Sequence, residues 1–190
     1  MLSTTQRLAV MVCVSALGCS GAQSPQRPRG PLTARDYFPL RANAAWSYDT
    51  QTGYGGDTVL SALAVVRVDG SRYYVRSGAR TETYEIRADG VVREGDYVLR
   101  DPIRVGATWD ARDGSHLAIR AVGATRTVGQ RQYHNVIEVL RSGSSARIET
   151  TTWYAADVGA IEIHARTTSS LGQEIEVHST LRGFDLGDSQ

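Results

Sequence analysis

The sequence predicts an all-β protein: an antiparallel meander of about ten strands that forms a curved sheet or half-barrel, with an internal two-fold repeat. Three observations lead to this fold class. Apolar and polar residues alternate along many segments, as in Ile161-Glu162-Ile163-His164, which is typical of strands with one face in a core. Turn-forming pairs such as Asp69-Gly70 and Asp89-Gly90 separate these segments at short intervals. A motif near the start of the chain recurs 63 residues later.

Composition excludes several classes of protein. The chain has 190 residues, enough for one domain with a sizeable core. Its 21 basic residues, all arginine, balance 20 acidic ones, and they form no basic run. We therefore expect no nucleic-acid partner.

The first residues predict export and lipid anchoring. Residues 1–18 read as a signal peptide whose apolar run is too short to span a membrane. Ala16-Leu17-Gly18-Cys19 resembles the bacterial lipobox, which implies that Cys19 becomes the acylated first residue of the mature protein. The alternative is a secreted protein cleaved near Ala16 or Ala22. Ser20, which is not the aspartate of the inner-membrane retention signal, favours the outer membrane.

Residues 19–34 are then expected to form the lipidated cysteine and a flexible tether with three of the five prolines. The β domain is expected over residues 35–186, followed by a tail at 187–190.

The alternation and the turns together place the strands along this domain. Residues 59–66 could also be helical, but their valine content and the following Asp-Gly pair favour a strand. We expect strands near residues 44–51, 57–68, 72–78, 81–87, 90–100 (one strand or two short ones), 107–111, 115–126, 132–141, 146–154, 159–167 and 173–183.

The repeated motif relates two units of the domain, near residues 37–93 and 100–166. Pro39–Trp46 and Pro102–Trp109 share the pattern P-[LI]-R-x-[NG]-A-x-W. Asn43 and Gly106 occupy the same position, and both residue types tolerate a left-handed backbone. We therefore expect equivalent turns that deliver two equivalent tryptophans into the core.

Two segments carry a resemblance to a known group. Tyr37-Phe38-Pro39-Leu40, with Trp46-Ser47-Tyr48, and the later Trp153–Ile161 resemble the motifs of mostly uncharacterised bacterial envelope lipoproteins. Asn43 stands where that group usually has glycine. The resemblance implies a β-rich domain, related to the half-barrels of lipoprotein carriers, and implies no reaction.

Four residues of the last two strands are candidate metal ligands. A hairpin centred near residue 170 would place Glu162 opposite His178, His164 opposite Glu176, and Arg166 opposite Glu174. Two histidines and two carboxylates could bind zinc. We favour cross-strand ion pairs on a solvent-facing surface, which explain the same residues. His116 and His134 are expected to be exposed strand residues.

No catalytic motif is present. The sequence lacks G-x-S-x-G, a P-loop and a dinucleotide fingerprint, and after processing it keeps no free cysteine. We expect neither an enzyme nor a cofactor.

The aromatic residues are the remaining lead. Core packing explains most of them, while Trp153, Tyr154 and Tyr74 are candidates for binding an apolar ligand in a concave face. One of Trp153 and Tyr154 should point away from the core. The predicted function is a non-catalytic binding or scaffolding module, anchored to the membrane by lipid, with an apolar ligand or an unidentified protein as partner. The alternative is an assembly partner of an envelope complex; a metal-dependent enzyme is less expected.

Overall fold

A computed structural model describes residues 30–53, 56–143, 148–168 and 172–187. Twelve strands and one short helix occupy these residues. The elements are α1 (Ala34–Tyr37), β1 (Ala45–Thr52), β2 (Thr58–Asp69), β3 (Arg72–Ser77), β4 (Arg80–Arg87), β5 (Gly90–Arg93), β6 (Asp96–Arg100), β7 (Thr108–Asp110), β8 (His116–Val128), β9 (Arg131–Ser142), β10 (Glu149–Ala155), β11 (Gly159–Thr168) and β12 (Glu174–Asp185).

All twelve strands belong to one antiparallel sheet in the order β6-β5-β4-β3-β2-β1-β12-β11-β10-β9-β8-β7. Strands β1–β6 and β7–β12 are two consecutive meanders, and pairing of β1 with β12 joins them. The sheet curls into a nearly closed barrel. The predicted all-β curved sheet is thus confirmed, with twelve strands where about ten were expected.

Strands β6 and β7, the two edges of the sheet, are linked through side chains. The indole Nε1 of Trp109 donates to the carbonyl oxygen of Tyr97 at 3.0 Å. The backbone N–H of Arg112 donates to Oδ1 of Asp96 at 3.0 Å. These bonds cover part of an edge that would otherwise offer unpaired backbone groups.

The two halves begin with equivalent turns, as the repeated motif predicts. Asn43 has φ 63° and Gly106 has φ 82°, so both adopt the left-handed conformation. The amide after each of them donates to the carbonyl three positions earlier, at 3.2 and 3.1 Å. Trp46 and Trp109 follow and are 5% and 4% exposed. The expectation of two equivalent core tryptophans is confirmed.

Helix α1 was not predicted, and it lies partly in the segment assigned to the tether. Ala34 and Tyr37 are buried. The N–H of Ala34 donates to Oδ1 of Asp101 at 2.9 Å, and the N–H of Asp157 donates to the carbonyl oxygen of Asp36 at 2.7 Å. The folded unit therefore begins before residue 35, and one short helix joins the β6–β7 loop to the β10–β11 loop. A single helical turn is too short to show a periodic pattern.

Two strand details also differ from expectation. Residues 90–100 form two strands, because Glu94 and Gly95 have φ 50° and 90° and make a tight turn. The register of β11 and β12 is shifted by two residues: His164 lies opposite His178, and Arg166 opposite Glu176. Periodicity determines which face each residue takes, but a shift of two residues preserves the face and leaves no trace in the pattern. The ambiguous run at 59–66 lies within strand β2.

Candidate ligand cavity

The barrel encloses a cavity of about 280 Å³. Its wall can be followed across the sheet, because directly paired residues share a face: Val139 pairs with Thr152, and Thr152 with Ile163. The lining is mainly aromatic and aliphatic, with a few polar residues among them. The lining residues are Phe38, Pro39, Leu40, Trp46, Tyr48, Leu63, Val75, Tyr84, Arg93, Tyr97, Val98, Leu117, Val139, Arg141, Thr150, Thr152, Tyr154, Gly159, Ala160 and Ile163.

The inner face of the sheet is covered unevenly from one strand to the next. The row that contains Ile163 runs through Ser179 and Thr50 to Val59. Val59 is 61% exposed, whereas Ile119, at the other end of the same row, is fully buried. The inner face is therefore covered at β8 and exposed at the start of β2, which lies beyond the residues that line the cavity.

Three buried tyrosines form the central wall. Burial raises the pKa of Tyr48, and it raises the pKa of Tyr84 and of Tyr154 to about 12. The hydroxyl of Tyr48 donates to the carbonyl oxygen of Ala160 at 3.0 Å, and that of Tyr84 donates to Oε2 of Glu82 at 3.3 Å. These hydroxyls stay protonated at neutral pH, so the wall is uncharged and amphipathic.

The segment after α1 contributes to one side of the cavity. The ring of Phe38 stacks on Tyr84 with centroids 5.3 Å apart and lies tilted against Tyr154 at 6.1 Å. Trp46 lies nearby and donates from Nε1 to the carbonyl oxygen of Val158 at 2.7 Å. A Cβ at Gly159 would lie 3.2 Å from that nitrogen, so glycine permits the close approach. This side of the cavity is built from residues far apart in sequence.

The three predicted binding residues have different locations. Tyr154 lines the cavity and is 6% exposed. Trp153 lies on the outer face, where the guanidinium of Arg126 covers its ring at 3.7 Å. Tyr74 is likewise covered, by Arg67 at 3.6 Å. The expectation that Trp153 and Tyr154 point to opposite faces is confirmed, and only Tyr154 lies in the cavity.

Sequence reasoning missed the polar part of the lining. Arg93 and Arg141 occupy positions that share a face with Val91 and Val139, two residues before each of them. The sequence pattern did contain a signal for them, because each is a charged residue at a position where the alternation places core-facing side chains. Phe38 could not be identified in this way, because it lies in a loop between α1 and β1.

The four candidate metal ligands do meet on the outer face, where they line a separate, more open groove with Gln51, Gly53, Arg126 and Trp153. Nε2 of His178 lies 2.9 Å from Oε1 of Glu162, and Nε2 of His164 lies 3.9 Å from Oε1 of Glu176. The predicted partners therefore contact each other along diagonals of the sheet, despite the shifted register.

Both carboxylates of this groove are paired with arginines. Arg126 donates to Oε2 of Glu162 at 2.6 Å, and Nε of Arg166 lies 3.0 Å from Oε1 of Glu176. Burial raises the pKa of Glu162, but hydrogen bonds from Arg126 and His178 outweigh burial and hold this pKa below its usual value. No group of three potential ligands with metal-binding geometry occurs in the described part of the chain. The arrangement fits ion pairing better than a cation site.

The other two histidines are exposed strand residues, as expected. His116 is bonded through Nδ1 to Asp110 at 2.8 Å, and His134 through Nδ1 to Thr125 at 3.2 Å. Cys19, the predicted site of lipidation, lies outside the described residues. In the described ranges, no helix has the length and apolar character needed to cross a membrane.

Of the comparisons with known proteins, the one with solved structures gave matches. No family model and no curated protein matches the chain. A crystal structure of a candidate lipoprotein from Parabacteroides distasonis is 10% identical, with a TM-score of 0.37. A candidate exported protein with a YmcC-like fold from Bacteroides fragilis is 8% identical, with a TM-score of 0.42. In each case the match covers 78% of this chain and 98% of the other. At such identities and TM-scores, neither structure indicates a function for this chain.

Proposed function

We propose that this protein is a non-catalytic, lipid-anchored protein of the bacterial envelope that holds a small apolar ligand inside its barrel. The observation that carries the binding role is the aromatic cavity of about 280 Å³, whose lining residues Arg93 and Arg141 are partly exposed to solvent. This volume is near the lower end of the range for small-molecule sites, about 300–1,000 Å³. The ligand is therefore small, and a lipid with two or three long chains exceeds the enclosed space.

The position of Trp46 allows a direct test of cavity binding. Of the three tryptophans, Trp46 alone lines the cavity, while Trp109 lies at the seam between β6 and β7 and Trp153 lies on the outer face. A neutral brominated decanol should quench the fluorescence of the protein. Trp46→Phe should abolish that quenching, whereas Trp109→Phe and Trp153→Phe should retain it.

A matched pair on β10 provides a second test. Thr152 faces the cavity, and its neighbour Thr151 faces outward; both are half-buried. Thr152→Phe should block the binding of 1-decanol measured by calorimetry, and Thr151→Phe should leave binding intact. Absence of quenching and of heat in the unmodified protein would refute the binding role.

The envelope location rests on the lipobox-like residues Ala16–Cys19. Intact mass spectrometry of detergent-extracted protein should show a mature N-terminus at Cys19 with added acyl mass, absent from a Cys19→Ala variant. An unmodified chain cleaved elsewhere would instead indicate a secreted protein.

The alternative role as an assembly partner stays a prediction. Trp109 and Arg112 link the sheet edges β6 and β7, so a strand that docked there would have to displace these bonds.

A further inference from the structure

Two arginines interrupt the otherwise apolar and hydroxyl-bearing wall of the cavity. Arg93 is the last residue of β5, and Arg141 lies near the end of β9. Their side chains are 43% and 31% exposed, so both guanidinium groups are partly accessible to solvent and also border the cavity. Charged side chains on the inner face of a small barrel are costly unless they have a partner, which makes their presence informative.

Arg141 is fixed by its surroundings. Its Nη2 donates to Oδ2 of Asp113 at 2.6 Å. The backbone N–H and hydroxyl of Ser115 donate to Oδ1 of Asp113 at 2.9 and 2.6 Å, so this carboxylate is itself held in place. A single bond to Asp113 uses only part of the N–H donors of the guanidinium.

Arg93 has a looser partner. Its Nη1 lies 4.0 Å from Oε2 of Glu82, which also accepts the hydroxyl of Tyr84, and the guanidinium interacts with that hydroxyl as well. A guanidinium at this distance from a carboxylate can turn toward a better-placed anion at little cost.

The two arginines border the same cavity of about 280 Å³ from different strands, and Arg93 lies opposite Tyr84 in the pairing of β4 with β5. Both lower the pKa of Tyr154, against the larger opposite effect of burial, so both positive charges lie within electrostatic range of this hydroxyl. Thr150 pairs with Arg141 across β9 and β10, and Thr152 is two residues further along β10. The cavity therefore offers two guanidinium groups and two threonine hydroxyls beside its aromatic lining.

We propose that the ligand is a single-chain carboxylate amphiphile, whose head binds at Arg93 and Arg141 and whose chain passes Tyr154 toward Trp46. This inference rests on the proposed function of the same cavity. The planar carboxylate suits guanidinium geometry. A singly charged head is favoured over a doubly charged phosphate because Glu82 and Asp113 already place two negative charges beside the arginines. At about 30 Å³ per water-sized group, the enclosed volume accommodates roughly nine groups, which matches a medium-length chain.

The test compares three ligands of equal chain length by titration calorimetry below their micelle concentrations: decanoate, 1-decanol and decyltrimethylammonium. Decanoate should bind about tenfold more tightly than decanol, since a charge-assisted hydrogen bond is worth that much in a partly buried site. The cationic ligand should bind most weakly.

Variants identify the head-group site. Arg93→Met and Arg141→Met should each remove most of the preference for decanoate, measured as the ratio of the decanoate and decanol affinities of the same variant. Arg126→Met is the matched control: Arg126 is also bonded to a carboxylate and is 32% exposed, but it lies on the outer face. Arg141→Lys keeps a charge without the planar fork and should retain part of the preference, which separates binding from any loss of folding.

Equal affinity for decanoate and decanol would overturn this inference and leave the proposed function intact. A preference for decanoate that persists in both methionine variants would overturn it as well. Binding of none of the three ligands would overturn the proposed function itself.

Discussion

Replacing either repeated tryptophan with phenylalanine tests how the barrel is closed and whether its halves are equivalent. Trp46 donates to the carbonyl oxygen of Val158 at 2.7 Å, and Trp109 donates to that of Tyr97 at 3.0 Å. The first bond fixes a loop 112 residues away in sequence, and the second fixes the edge strand β6, 12 residues away. Phenylalanine keeps an aromatic ring and removes the N–H.

The expected magnitude follows from burial. Both tryptophans are about 95% buried, so each substitution leaves a carbonyl oxygen without its partner, at about 1–3 kcal/mol. The smaller ring loses roughly 1 kcal/mol of apolar burial. Together these effects lower the free energy of unfolding by about 2–4 kcal/mol. For a chain of this size the midpoint of thermal unfolding should fall by about 4–16 °C.

Urea unfolding followed by far-ultraviolet circular dichroism measures the change. We expect Trp46→Phe and Trp109→Phe to lose similar stability, while Trp46→Phe alone alters ligand affinity, because only Trp46 lines the cavity. A loss below about 0.5 kcal/mol for Trp109→Phe would refute the argument that this bond closes the seam. A difference above about 2 kcal/mol between the variants would refute the equivalence of the halves.

Three further predictions concern the turns, acid stability and the cavity wall. Asn43→Gly should change the free energy of unfolding by less than about 0.5 kcal/mol, because glycine also adopts the left-handed turn. Gly106→Val should lower it by about 1–2 kcal/mol, because valine does not tolerate that conformation. Urea unfolding measures both changes, and an unchanged stability of Gly106→Val would contradict the turn assignment. Hydrogen bonds from Ser115, together with Arg141, lower the pKa of Asp113 to about 2. The stabilisation by this group is therefore complete above its unfolded-state pKa near 3.8 and is lost as the pH falls toward 2. Asp113→Asn should lower stability at neutral pH and reduce its dependence on pH below about 4; an unchanged acid profile would refute the assignment. Phe38→Ala should enlarge the cavity and lower the free energy of unfolding by at most about 3–5 kcal/mol. In calorimetry it should raise the affinity for ligands with longer chains. An unchanged chain-length optimum would contradict the placement of Phe38 against the cavity.

Local chemistry explains why much of the fold could be predicted. The alternation around Ile161-Glu162-Ile163-His164 determines that one face is apolar, and Ile161 is indeed fully buried. The repeat determines that Asn43 and Gly106 are equivalent turn positions, which their φ angles confirm. These features depend on residues close together in the chain.

The register of β11 and β12 shows the limit of such reasoning. A hairpin shifted by two residues presents the same faces, so the sequence pattern is equally compatible with both registers. Diagonal contacts nevertheless bring His178 to Glu162 and His164 to Glu176, while Arg166 lies directly opposite Glu176. The sequence therefore predicted that these histidines and carboxylates share one face, but it predicted neither the strand register nor the place of Arg126 beside them.

The sequence by itself determined the strands, their inward and outward faces, and the two tryptophan turns, because each follows from periodicity or from the backbone preference of single residues. Only the tertiary structure decided that β1 pairs with β12, that α1 joins two distant loops, and that Phe38, Arg93 and Arg141 meet Tyr154 around one cavity. The physical reason is separation along the chain. These contacts join residues tens of positions apart, and their geometry depends on the curvature of the whole sheet, which no local pattern encodes.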